Sequence, residues 1–233
     1  MNAEARLVQW GGYAALAAVA VMVVNFGLVL VGTGGEFSDS RRDTSELAYL
    51  ADNQSAMALF AWLFVLFIAL LIPAVLGFHA ALRATKLPLV IGTASATIGL
   101  VFGLLYWLLS LGVIYVVAPG YAAAGAASQP AIEVVGRGML TATIAFDSLA
   151  NVFIGIGVGF FSLAILETRA VPRWLGWFGL ALAVAGVLDG PAHWFDPLIL
   201  VEVVGTVLGV IWFVGMGISM LRVRVPAAGG AGA

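Results

Sequence analysis

Cysteine is absent, which removes disulfide staples, thiol nucleophiles and thiolate metal sites. Charge is nearly as scarce. Ten basic and twelve acidic residues among 233 leave a net charge of −2, and without a basic run there is no electrostatic footprint for nucleic acid. Only two histidines occur, His79 and His193, at opposite ends of the spans assigned below, so they cannot clamp one haem as an axial pair. No Gly-x-Ser-x-Gly pattern places a serine nucleophile. The glycine pairs follow no strand, so they are not phosphate loops.

What the chain has in abundance is apolar surface. Hydrophobic residues make up 63% and the mean hydropathy is +1.11, which excludes a soluble enzyme and points to lipid, where each span must satisfy its own backbone hydrogen bonds. The expectation is an all-α integral membrane bundle of six spans forming one polytopic domain over 1–225, followed by a disordered Gly/Ala tail over 226–233. Span 1 runs from Val8 to Val31, span 2 from Met57 to His79 with Pro73 inside it, and span 3 from Leu89 to Val117. Span 4 covers Ile144 to Leu166, span 5 opens on Trp174 and Trp177 and ends near Leu188, and span 6 starts at Asp196-Pro197 and reaches Leu221.

Between spans 1 and 2, the segment Glu36 to Asn53 is the most charged. Asp43 and Glu46 have capping-box spacing there, predicting a short amphipathic surface helix. A flexible Ala/Gly loop is expected over Ala118 to Pro130, and an amphipathic turn with Glu133 and Arg137 four apart should precede span 4. Gly99, Gly103, Gly155, Gly159, Gly205 and Gly209 recur at four-residue steps, a code for close helix approach within the chain or against other membrane subunits.

Basic residues set the expected orientation. Arg6, Arg83, Lys86, Arg169, Arg173, Arg222 and Arg224 fall on one side of six spans, against Arg41, Arg42 and Arg137 on the other. Seven against three puts both termini in the cytoplasm. Short loops and a bias to alanine, glycine and valine suit the cytoplasmic (inner) membrane of a bacterium.

The unusual polar residues then share a level. Asn25, Asp147, Asn151, Asp189, His193 and Glu202 all lie in or just above the outward half, the last three around the run Asp189-Gly190-Pro191-Ala192-His193-Trp194-Phe195-Asp196-Pro197, which reads as a polar turn between spans 5 and 6. No lysine or arginine lies within the apolar runs. A charge at membrane depth costs about 2.5–3.5 kcal/mol on the insertion scale, so these acids must face water, a partner or a cation, or be protonated. In structural terms Asp196 is a helix cap, Trp194 a belt residue, Asp189 a partner for turn amides and His193 a solvated loop residue. In functional terms Asp147, Asn151, Asp189, His193 and Glu202 form a ligand or cation site, and a metal, if any, would take His193, Asp189 and Glu202.

Asp43-Thr44-Ser45-Glu46-Leu47-Ala48 and Val171-Pro172-Arg173-Trp174-Leu175-Gly176-Trp177-Phe178-Gly179 resemble the corresponding stretches of a family of bacterial six-span membrane proteins known only as a domain of unknown function. The resemblance implies the six-span layout and assigns no catalytic residue.

Three functional readings stand at this point. The first is a non-catalytic accessory or assembly subunit of a larger membrane complex. The second is an outward-facing binding or transport module for a small or lipid-like ligand. The third is a metal-dependent enzyme of the outer leaflet built on His193, Asp189, Asp147 and Glu202. No catalytic residue and no cofactor is assigned, and lipid is the one certain partner expected of such a composition.

Overall fold

The computed structural model describes residues 3–32, 45–82, 86–192 and 199–223. Its elements are α1 (Ala3–Gly32), α2 (Ser45–Asp52), α3 (Gln54–Ala81), α4 (Lys86–Gly112), a π-helical turn (Val113–Val117), α5 (Ala118–Ala123), α6 (Gln129–Thr168), α7 (Arg173–Ala192) and α8 (Ile199–Arg222). Six of these helical stretches are long and apolar enough to cross a membrane. Asp43, His193, Asp196, Pro197 and the tail over 226–233 fall outside the described residues, as does the side chain of Glu202.

Each long helix packs on the next in chain order, and α8 returns to α1. The result is a ring of antiparallel neighbours. Ala3 and Arg222 emerge at the same end, here the terminal end; the opposite end is the distal end. Four seams of the ring are closed by glycine. A Cβ on Gly11 would lie 2.6 Å from Gly77 Cα and 2.9 Å from Pro73 O, and one on Gly12 would lie 3.0 Å from Gly217 O. On α4, a Cβ on Gly99 would meet Ile154 N at 2.8 Å, while between α6 and α7 one on Gly155 would meet Val187 N at 2.8 Å. In lipid, where apolar burial drives little association, such close backbone approach supplies the dispersion contact that holds helices together. Gly99 and Gly155 are therefore used inside the chain. Gly205 and Gly209 are packed more loosely, their Cβ positions 3.8 Å from Ala185 and 4.0 Å from Leu182.

At the terminal half α8 leans across the ring toward α3 and fills it. The Trp212 indole is fully buried, edge-on to Phe78 at 5.4 Å, and Phe78 is edge-on to Phe161 at 5.9 Å. Trp212 Nε1 donates to Leu175 O at 3.1 Å, so its one polar atom is satisfied without water. Gly179 leaves room for this contact, since a Cβ there would collide with Ser162 Oγ and the indole nitrogen.

Sequence alone misjudged the distal side. The loop expected over Ala118 to Pro130 shrinks to 124–128, because α5 continues to Ala123 and α6 already starts at Gln129; alanine, the strongest helix former, carries α5 on through Ala122 and Ala123, and Pro130 suits the first turn of α6. The amphipathic turn and span 4 are likewise one helix of 40 residues, about 60 Å long and roughly twice the thickness of a hydrocarbon core. Its first four turns stand clear of the apolar stretch that begins at Ile144, with Glu133 and Arg137 paired at 2.7 Å. The surface helix forms as α2, but its apolar face packs on protein: Leu47 and Leu50 are buried against Val113, Ile114 and Val117.

The π turn follows from Pro119. A proline at that position has no N–H for Tyr115 O and its ring crowds that carbonyl. The backbone widens by one residue instead, as π turns do. Ala118 N bonds Val113 O, and the Ile114 carbonyl is supplied by Gln54 Nε2 at 3.2 Å. Gln54→Leu is expected to cost about 1–3 kcal/mol by leaving that carbonyl unpaired. In a Pro119→Ala background, where a regular α-helix can form, the same substitution should cost little. Thermal melts of the two single variants and the double variant give the coupling; strict additivity would reject Pro119 as the cause.

Candidate functional site

The inward stripe of α6 reads Asp147, Asn151, Ile154, Val158, Phe161 and Ile165, steps of three and four that lie opposite the exposed Leu149 and Leu163. Burial along it changes with depth. Ile165, Phe161 and Val158 are 0%, 1% and 4% exposed, whereas Ile154, Asn151 and Asp147 are half-buried. The same gradient runs along α8, where Met220, Met216 and Trp212 are buried and Phe213 and Gly209 are half-buried. Side chains that face the ring axis are thus sealed in the terminal half and partly exposed in the distal half. Such a gradient is what a crevice closed at the terminal end would produce.

Asp189 sits at the same distal, half-buried level. It occupies the last turn of α7 rather than a loop between spans, which corrects the reading of Asp189 to Ala192 as part of a polar turn. On α7 it continues the stripe of Leu175, Leu182 and Ala185, all buried, and one of its carboxylate oxygens is shielded from solvent. Its depth matches Asp147, because a Cβ on neighbouring Gly190 would meet Ser148 O at 2.9 Å. The register of α8 brings in Glu202 at the backbone level. Gly205 lies against Ala185; three residues distal of Gly205 and four distal of Ala185 are Glu202 and Asp189, displaced along antiparallel axes by about 4.5 and 6 Å. Glu202 shares its helix face with Gly209, Phe213, Met216 and Met220.

Of the five residues singled out in the sequence, then, Asp147, Asn151 and Asp189 lie at one level of the ring, with their side chains described. Glu202 falls at the same level by backbone register, and His193 lies outside the described residues. Among the described residues no three histidine or acidic side chains gather as metal ligands. Asn25, also at this depth, faces elsewhere: it is 1% exposed and donates from Nδ2 to Phe60 O at 3.1 Å, joining α1 to α3. His79 serves the terminal end. His79 Nδ1 and Thr93 Oγ1 share a hydrogen bond at 2.7 Å that ties α3 to α4, and Thr93 Oγ1 also lies 2.8 Å from Leu89 O.

The α3–α4 seam also holds an aromatic wall that the reading of charges overlooked. Phe64 of α3 stacks on Trp107 of α4, with centroids 4.3 Å apart and planes 9° off parallel, and Phe60 and Phe67 pack edge-on to Phe64. The spacing Phe60, Phe64, Phe67 puts three rings on one helix face, so this signal was present in the sequence. Chemically, ionised acids at this level would attract positive charge, and the rings would offer polarisable faces to an apolar body or a cation.

Comparison with known protein families, with curated proteins and with solved structures finds no match to this chain.

Proposed function

We propose that the chain is a multi-pass protein of the bacterial cytoplasmic membrane, termini inside, whose crevice opens outward and binds a small organic cation with an apolar body. The exposure gradient along the inward stripe of α6, ending at Asp147 and Asn151 beside Asp189, carries this reading. The seven-to-three distribution of basic residues supports the orientation. The role needs no catalytic group: the acids recognise charge, Asn151 supplies a donor and an acceptor, and the Phe64–Trp107 wall takes the apolar part.

The test uses two probes of the same shape and opposite charge, tetraphenylphosphonium and tetraphenylborate, added to purified protein in neutral-lipid nanodiscs. The cation is expected to raise the melting temperature in a saturable way, by the equivalent of about 2.7 kcal/mol at a hundredfold excess over its dissociation constant. Equal stabilisation by the borate would remove charge recognition, and no shift with either probe would remove the binding reading.

A second reading, a non-catalytic subunit of a larger membrane complex, draws on the distal overhang of α6, where Val134 and Val135 are exposed beside the Glu133–Arg137 pair. It predicts a partner subunit in fixed stoichiometry after purification in mild detergent. A chain that runs alone and stays folded in every such preparation speaks against it.

A further inference from the structure

The seam between α3 and α4 differs from the glycine-closed seams. At its middle, on the outer surface of the ring, lies an apolar groove of about 150 Å³ lined by Ile72, Val75, Leu76, Thr97, Leu100, Val101 and Leu104. Behind it, inside the ring, is a small void of about 20 Å³ between Phe78, Phe161 and Trp212. Val75 and Leu100 line both spaces. Two side chains therefore separate the outer groove from the interior. The void has room for one water, but apolar walls give it no partners, since the Trp212 N–H is already engaged with Leu175; it is dry. Thr97 brings no free donor to the groove, because Oγ1 donates back to Thr93 O at 2.8 Å.

We propose that the groove seats an acyl chain of a bilayer phospholipid, and that Val75 and Leu100 form the partition between that chain and the ring interior. Position identifies the occupant. The groove lies about 8 to 27 Å along the helices from the terminal end, inside the roughly 30 Å occupied by hydrocarbon, where the surrounding medium is acyl chain. Its rims, Ile72, Leu76 and Val101, are all exposed to that medium. The volume suits about six carbons, the size of group that an apolar cavity of this volume takes up. A groove at this depth left without a chain would be a void whose lining loses its dispersion contacts. The inference does not depend on the ligand reading of the distal crevice; it needs only that α3 and α4 lie in the bilayer.

Phosphatidylcholine carrying a diazirine at mid-chain, incorporated into nanodiscs with the intact chain and photolysed, tests it by mapping adducts with mass spectrometry. Adducts are expected on Thr97, Val101 and Leu76 at about fivefold the level on Val184 and Ile218, equally lipid-facing residues of α7 and α8, a ratio that corresponds to a preference near 1 kcal/mol. Widening the partition with Val75→Ala and Leu100→Ala should bring adducts to Phe161 and Phe213, which the native chain keeps unlabelled. Uniform labelling of all lipid faces overturns the seat, and so does a groove shielded from label by a second copy of the chain. A widened variant that still melts cooperatively yet shows no interior adduct overturns the partition. Retention of tetraphenylphosphonium binding in any of these cases separates failure here from failure of the crevice.

Discussion

Trp212→Ala is expected to destabilise the protein by about 3–5 kcal/mol, the range for emptying a buried aromatic site. Three losses combine at that position. The indole is the largest of the fully buried side chains, it is the aromatic centre between Phe78 of α3 and Phe213 of its own helix, and its N–H is the tie to Leu175 O of α7. At this level α8 is held by both α3 and α7, through the Phe78 ring and the Leu175 carbonyl. Trp212→Phe separates the contributions: it keeps most of the ring contact and gives up the hydrogen bond, and should cost about 1–3 kcal/mol, the penalty for abandoning one partner of a buried pair. Thermal unfolding in a single detergent measures both. A Trp212→Ala protein that melts within a degree or two of the parent would mean that the terminal half is not packed as described.

The second large effect concerns recognition. Converting Asp147 and Asp189 to asparagine leaves shape and volume nearly unchanged while removing both charges from the mouth of the crevice. A hydrogen-bonded or charge-paired contact is worth about 1.5–3 kcal/mol, so each substitution should weaken tetraphenylphosphonium binding by roughly ten- to a hundredfold. The double variant should show no saturable binding. Asp52→Asn is the matched control, an exposed acid at the end of α2, and should bind like the parent. If the double variant binds as tightly as the parent, the acids are structural and the ligand reading of the crevice is lost.

Some of this architecture is legible in the sequence because scarcity makes it so. With twelve acidic residues in 233, an aspartate at the head of an apolar run cannot be incidental, and the four-residue spacing of Asp147, Asn151 and Gly155 already put them on neighbouring faces of one helix. Spans are legible for the same reason, since long apolar runs have only one stable form in lipid. The ends of the helices are less so. The sequence suggests a break near Ala118, but alanine carries helix through a stretch that looks like linker, and whether α4 continues depends on Pro119, Gln54 and the buried face of α2 acting together. The aromatic wall was present in the spacing of Phe60, Phe64 and Phe67, yet its partner Trp107 lies on another helix and is brought to it only by the α3–α4 pairing. Depth-dependent exposure could not be read at all, since it arises from the lean of α8 across one half of the ring.

The absence of cysteine makes the most direct test a clean one. Single cysteines placed along the inward stripe of α6, at Asn151, Ile154, Val158 and Ile165, can be exposed to a charged, membrane-impermeant thiol reagent in sealed vesicles of known sidedness. Modification is expected to be fast at Asn151, slower at Ile154 and undetectable at Val158 and Ile165, and only when the reagent is on the face opposite the termini. Modification of Ile165→Cys as fast as that of Asn151→Cys, or protection of all four positions, would contradict a crevice open at the distal end and closed at the other.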